Sequence, residues 1–114
     1  VIGFERFCKN YQFEYEIKSE FIEDSIQKGD VYILPNDRDL VAIIESTTLY
    51  KYMIGKDIGI ISYNDTPLKK VVAKGITTIS TDFSEMGKRL AFMILNNSKE
   101  NIENESQLIL RKSL

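Results

Sequence analysis

The chain has 114 residues, of which 43% are hydrophobic and 28% charged. Surface scaling gives about 6,400 Å² exposed when folded against about 19,000 Å² unfolded, so there is material for one modest core and not for two. Lys plus Arg is 15 and Asp plus Glu is 17, a formal net charge of -2. That near-neutral, slightly acidic balance makes a poor non-specific nucleic-acid binder, because counterion release needs a basic surface.

Read in chain order, strands and helices alternate. Gly3–Tyr11 has Phe4, Phe7 and Cys8 at helical spacing, and the chain opens at Val1 inside this helix, so a fragment is expected. Gln12–Lys18 alternates Phe13, Tyr15 and Ile17 with polar residues, which predicts a half-buried edge strand. Phe21–Lys28 predicts a short helix stopped by Gly29. Asp30–Leu34 is a short apolar strand ended by Pro35. Asn36 and Asp37 then open a helix over Asp37–Met53, with Asp39 in its first turn and Gly55 as its C′ residue. Ile58–Ser62 is a second buried strand. Tyr63-Asn64-Asp65-Thr66-Pro67 is a turn, and Pro67 starts a short helix to about Ala73. Ile76–Ser80 is a third, β-branched strand. Asp82 and Glu85 have capping-box spacing, and Phe83, Met86, Gly87, Leu90, Ala91 and Ile94 form an apolar stripe on the helix that follows. Asn96–Ser106 is a polar loop, and Leu108–Leu110 a last strand. The alternation predicts an α/β fold: a Rossmann-like, mostly parallel sheet with helices on both faces.

Three polar groups follow three of these strands: Pro35-Asn36-Asp37, Tyr63-Asn64-Asp65 and Ser80-Thr81-Asp82. If the strands are parallel, all three meet at one border of the sheet, where ligands of such folds bind. Asn and Asp side chains with the rings of Tyr63 and Phe83 suit a neutral, hydroxyl-rich ligand, a sugar or nucleoside, better than a phosphate. Each residue has a second reading, since Asn36 and Asp82 stand where helices need N-caps and Asp65 where a turn favours Asp.

Histidine is absent. No Ser–His or Cys–His nucleophile and no His-ligated metal can therefore be built; a metal site would need carboxylates alone, suited at most to weakly held Mg or Ca, and no metal, cofactor or hydrolytic enzyme is expected. The lone Cys8 cannot form an intrachain disulfide, fits a reducing compartment, and reads as a core or interface residue. No apolar run reaches the roughly 18 residues that a membrane span needs. Gly55-Lys56 and Gly87-Lys88 lack the glycine-rich turn of a phosphate loop. Lys69, Lys70 and Lys74 read as a solvated helix face.

The stretches DIGIISYNDTPL, GITTISTDFSEMGKRLAFMIL and LILRKSL resemble the C-terminal half of the effector domain of LacI/GalR-type transcription regulators. The matching motifs are Asn36-Asp37 opening a helix, Asp57-Ile58, Tyr63-Asn64-Asp65, Thr77-Thr78, Asp82-Phe83, Gly87, and Leu108-Ile109 with Arg111 and Ser113. The wording around ISYNDTPLK and GITTISTDF is similar to the variant joined to a GntR-type winged-helix head. The resemblance implies a periplasmic-binding-protein-like C-terminal subdomain over residues 1–80 and 107–114. Residues 81–98 would form a crossover helix that belongs to a missing N-terminal subdomain, leaving its stripe without its usual partner. It implies Asn36 as a ligand contact and Asp82-Phe83 beside the cleft; Asn64 stands where the family usually has a ligand-binding Asp, a departure that means either a different sugar or a shift of that role to Asp65. It also implies a cytoplasmic protein with a sugar-like effector, operator DNA held by an absent head, and a homodimer using Val41, Thr66, Leu68, Val71 and Val72. The alternatives are a transport-type periplasmic sugar-binding protein and a Rossmann-like enzyme domain, the latter disfavoured by the missing glycine fingerprint.

Overall fold

A computed structural model describes residues 1–21 and 25–114. Its elements are α1 (Ile2–Tyr11), β1 (Val31–Leu34), α2 (Asp37–Leu49), β2 (Gly59–Tyr63), β3 (Thr77–Thr81), α3 (Phe83–Leu95) and β4 (Ser106–Ile109). Two 3₁₀ turns, Leu68–Lys70 and Val72–Lys74, connect β2 to β3. The sheet has four strands in the order β1-β2-β3-β4. β1, β2 and β3 run parallel, and β4 returns antiparallel to β3. The α/β class and the mostly parallel sheet are as the strand–helix alternation implies.

Register decides which side chains meet. Tyr32 lies beside Ile60 and Leu34 beside Ser62, and Ser62 lies beside Thr78. In-register neighbours share a face, so these residues line one side of the sheet. α2 covers that side with Leu40 and Ile43, and together with Ile26, Ile58 and Ile76 they form the core. Ser25 and Ile26 belong to the expected helix Phe21–Lys28; Ile26 is buried in the core, and residues 22–24 lie outside the described residues. On the opposite side, Val31, Ile33 and Leu108 remain exposed.

α2 begins as expected and ends early. Asn36 caps it, accepting a hydrogen bond from the Asp39 N–H at 2.9 Å. The helix stops at Leu49, four residues short of Met53. Thr47 and Thr48 both donate their hydroxyls to the Ile44 carbonyl, at 2.7 and 3.0 Å, and such back-bonding weakens a helix end. Asp57 then takes the Met53 N–H at 2.8 Å, fixing the next turn. Lys51 (φ 57°), not Gly55, holds the left-handed position after the helix. Gly55 (φ 81°) is required for another reason: a Cβ there would run into the Lys112 carbonyl.

Gln12–Lys18 forms no strand, which corrects the expected edge strand. An alternating sequence becomes a strand only beside a free ladder edge. Here Phe13 and Tyr15 pack instead on the rings of Phe7 and Phe4, with centroids 5.7 and 5.4 Å apart. Cys8 is buried, as its apolar neighbours imply.

The last four residues close the amino-terminal border of the sheet. The Ser113 hydroxyl accepts the Thr77 N–H at 2.7 Å and donates to the Ile60 carbonyl at 2.7 Å. The Ile60 N–H in turn donates to the Ser113 carbonyl at 2.7 Å. Thr77 Oγ1 accepts the Arg111 N–H at 3.0 Å.

α3 stands apart from this core and buries none of its side chains. Leu90 is 57% and Ile94 71% exposed. The solvent-accessible surface is 8947 Å², well above the about 6,400 Å² of a compact chain this long. The radius of gyration, 17.0 Å, likewise exceeds the about 13 Å expected.

Two outcomes follow from this packing. Ser113→Ala, which strips partners from a buried N–H and a buried carbonyl, should lower the unfolding free energy by about 1–3 kcal/mol in urea titrations. Leu90→Glu should change that free energy by less than about 0.5 kcal/mol, because an exposed side chain has no packing to lose.

Candidate functional site at the carboxyl border

Because β1, β2 and β3 are parallel, the segments after them emerge on one border. Asn36-Asp37 follows β1, Asn64-Asp65 follows β2, and Asp82-Phe83 follows β3. β4 enters from the same border, with Ser106 opposite Thr81.

Several of the border residues have a local task that limits what they can offer a ligand. Asn36 caps α2, and its Nδ2 also donates to Asp39 Oδ2 at 2.7 Å. One amide hydrogen and one acceptor lone pair remain free among the described residues. Asp82 caps α3 by accepting the Glu85 N–H at 2.9 Å. Asp37 pairs with Lys69 Nζ at 2.7 Å. Asn64 sits at φ 60°, a left-handed position that Asn tolerates. Its side chain and the Tyr63 hydroxyl make no hydrogen bond among the described residues. Tyr63 and Phe83 expose their rings to solvent.

Asp65 is turned inward. Arg111 grips its carboxylate with two parallel bonds, Nη1 to Oδ1 at 2.7 Å and Nη2 to Oδ2 at 2.9 Å. Thr78 donates its hydroxyl to Oδ1 at 3.2 Å, and the Asp65 N–H donates to Ser80 Oγ at 2.9 Å. Arg111 Nη1 also donates to the Ile76 carbonyl at 2.8 Å. The guanidinium bonds hold the Asp65 carboxyl below the usual carboxylate range, against an opposing push from burial. The same pairing raises the already high Arg111 value. A bidentate pair shielded to this degree is a geometric clamp between the turn after β2 and the C-terminal tail.

Lys69 corrects the expected solvated lysine face. It is 4% exposed. Its ammonium donates to the Tyr63 carbonyl at 2.6 Å and the Asn64 carbonyl at 3.0 Å, besides its pair with Asp37. Lys70 and Lys74 are exposed, as expected. Nothing in the spacing of the three lysines singles out Lys69. The 3₁₀ turn that points it inward is a tertiary outcome.

A cavity of about 730 Å³ opens beside Asn36. Arg38 and Asp39 from α2 line it, with Glu20 and Phe21 from the segment before β1. Arg38 and Glu20 were not signalled by any motif. Tyr63, Asn64, Asp82 and Phe83 share the border but are not among the cavity's lining residues. Among the described residues no group of three acidic or cysteine side chains converges to hold a metal. No helix of the described residues is long and apolar enough to cross a membrane.

A mostly parallel sheet whose carboxyl border carries the polar turns, closed by an antiparallel last strand, is the arrangement of a periplasmic-binding-protein-like α/β fold. The family described as "Periplasmic binding protein-like domain" matches residues 10–114, and the chain belongs to it. A curated relative is the HTH-type transcriptional regulator KdgR of Bacillus subtilis (strain 168), 31% identical over 109 residues. That alignment covers 90% of this chain and 32% of the relative, so the chain spans about a third of that protein. A solved structure from Corynebacterium glutamicum, described as a LacI-family transcription repressor, superposes with a TM-score of 0.59 at 28% identity, covering 74% of this chain and 34% of the other. A structure from Staphylococcus saprophyticus, described as a transcription regulator, gives a TM-score of 0.60 at 25% identity, covering 74% and 32%. The Lac repressor dimer bound to operator and the anti-inducer ONPF shares the fold, with a TM-score of 0.59 at 23% identity, covering 73% and 27%.

The Asp65–Arg111 clamp makes a pH prediction. A depressed carboxylate contributes stability that is complete above its unfolded value, about pH 4, and is lost as pH falls through the folded value. Asp65→Asn should cost roughly 2 kcal/mol in urea titrations near neutral pH. The gap to wild type should shrink steadily below about pH 4, checked by repeating the titrations down the pH scale.

Proposed function

We propose that this chain is the effector-binding part of a LacI/GalR-type transcription regulator and that a small, neutral, sugar-like ligand binds along the carboxyl border. In this reading Asn36, Asp37, Tyr63, Asn64, Asp65, Asp82 and Phe83 supply the contacts. Asn36 and Asn64 donate and accept, Tyr63 and Phe83 cover an apolar ring face, and Asp65 acts through the turn that it anchors. One observation carries the proposal. The parallel strands bring three polar turns to one border, and there, among the described residues, the side chain of Asn64 and the hydroxyl of Tyr63 make no hydrogen bond, while the ring of Phe83 is half exposed.

The domain division follows the same reading. Residues 1–80 and 107–114 form the C-terminal subdomain. Residues 81–98 are a crossover helix for an N-terminal subdomain outside this chain, which accounts for the bare surface of α3. Val41, Leu68 and Val71 are exposed, and Thr66 and Val72 are half-buried beside them, supporting a homodimer contact there. The protein is a cytoplasmic regulator, not an enzyme. A DNA-binding head outside this chain, of the GntR winged-helix type, reads the operator. The ligand acts by population shift: it binds two arrangements of the dimer unequally and so changes the head's affinity for DNA.

A thermal-shift screen of neutral pentoses and hexoses on the intact protein tests this, since a ligand that binds the native state raises the melting temperature. At least one sugar should raise it. Asn64→Ala should weaken that sugar at least tenfold, about 1.4 kcal/mol, and Asn36→Ala should do so as well. Shifts unchanged by both substitutions would remove these residues from the site.

A further inference from the structure

We propose that Lys69 is a positioning residue of the carboxyl border, and that its buried ammonium sets the span between the turn carrying Asn36 and the turn carrying Asn64. The inference rests on the border being the effector site.

An ammonium group has three donors and no acceptor. All three donors of Lys69 are used, and none reaches into the core. One goes to the Tyr63 carbonyl at 2.6 Å, one to the Asn64 carbonyl at 3.0 Å and one to Asp37 Oδ1 at 2.7 Å. Two acceptors belong to the turn after β2 and the third to the first turn of α2. The stem is fixed from its other end, because the Lys69 carbonyl accepts the Ile76 N–H at 2.7 Å. Asn64 is further tied by its N–H to the Ile79 carbonyl at 2.8 Å. A lysine that is 4% exposed costs desolvation that only such complete pairing offsets. An apolar residue of the same length would pack as well and would join neither turn to the other. The charge therefore couples two ligand-bearing turns that no strand pairing connects beyond Leu34 and Ser62.

Two measurements on the full chain test this. In the first, amide NMR shifts of Tyr63, Asn64 and Asp65 are recorded for Asp37→Asn, which removes the negative charge facing the Lys69 ammonium. The substitution should move these amides when Lys69 is present and leave them unmoved in a Lys69→Met background. Lys69→Arg, which keeps the charge, should restore the response. Amides that ignore Asp37→Asn in the wild-type background would overturn the proposal.

In the second, any hexose or pentose that stabilises the intact wild-type protein is titrated against Lys69→Met. Its affinity should fall at least tenfold, with partial recovery in Lys69→Arg. Equal affinity in Lys69→Met would overturn the positioning role. If no sugar stabilises the wild type, the effector reading fails, and the amide arm still decides whether Lys69 couples the turns.

Discussion

Between Ile60 and Thr77 the second and third strands are joined through a side chain of the C-terminal tail. The Ser113 hydroxyl takes the Thr77 N–H and gives its hydrogen to the Ile60 carbonyl, both at 2.7 Å. The residue is fully buried, so each of these backbone groups would otherwise lack water and partner alike. The tail is held in that position by Arg111, whose guanidinium grips Asp65. One end of the clamp lies in the turn after β2 and the other at the closing end of the chain. The parallel register that gathers the polar turns on one border therefore depends on residues from the last few positions of the sequence.

Much of the architecture was legible in the sequence, because short β-branched runs and capped helices are local signals. Asn36 and Asp82 open α2 and α3 as their spacing implies; Gly55, expected to stop α2, instead lies in the turn beyond it. The glycine's reason was not legible, since the Lys112 carbonyl that excludes a Cβ comes from the far end of the chain. Gln12–Lys18 shows the limit of periodicity: two-residue alternation describes a segment able to pair, and pairing also needs an available edge. The early end of α2 came from Thr47 and Thr48 bonding back to Ile44, a choice that apolar spacing does not register.

The border site divides in the same way. Chain order and strand direction place its members. Which of them stay free for a ligand depends on contacts across the fold. Asp65 reads as an available carboxylate and is occupied by Arg111. Lys69 reads as surface charge and is buried under the turn it supports. Asn64, whose side chain makes no hydrogen bond among the described residues, is the member whose arrangement favours recognition over scaffolding.

α3 leaves the sheet after Thr81 and the chain returns at Ser106, and these two residues are partners in the β3–β4 ladder. Their hydroxyl oxygens lie 3.4 Å apart. Residues 82–105 are thus an excursion with adjoining ends that contributes nothing to the interior. Such a module is separable from the sheet: cutting it out and bridging Thr81 to Ser106 with a tight hairpin turn would keep the strand alignment, so whatever α3 does, it does through surfaces other than the sheet's own core.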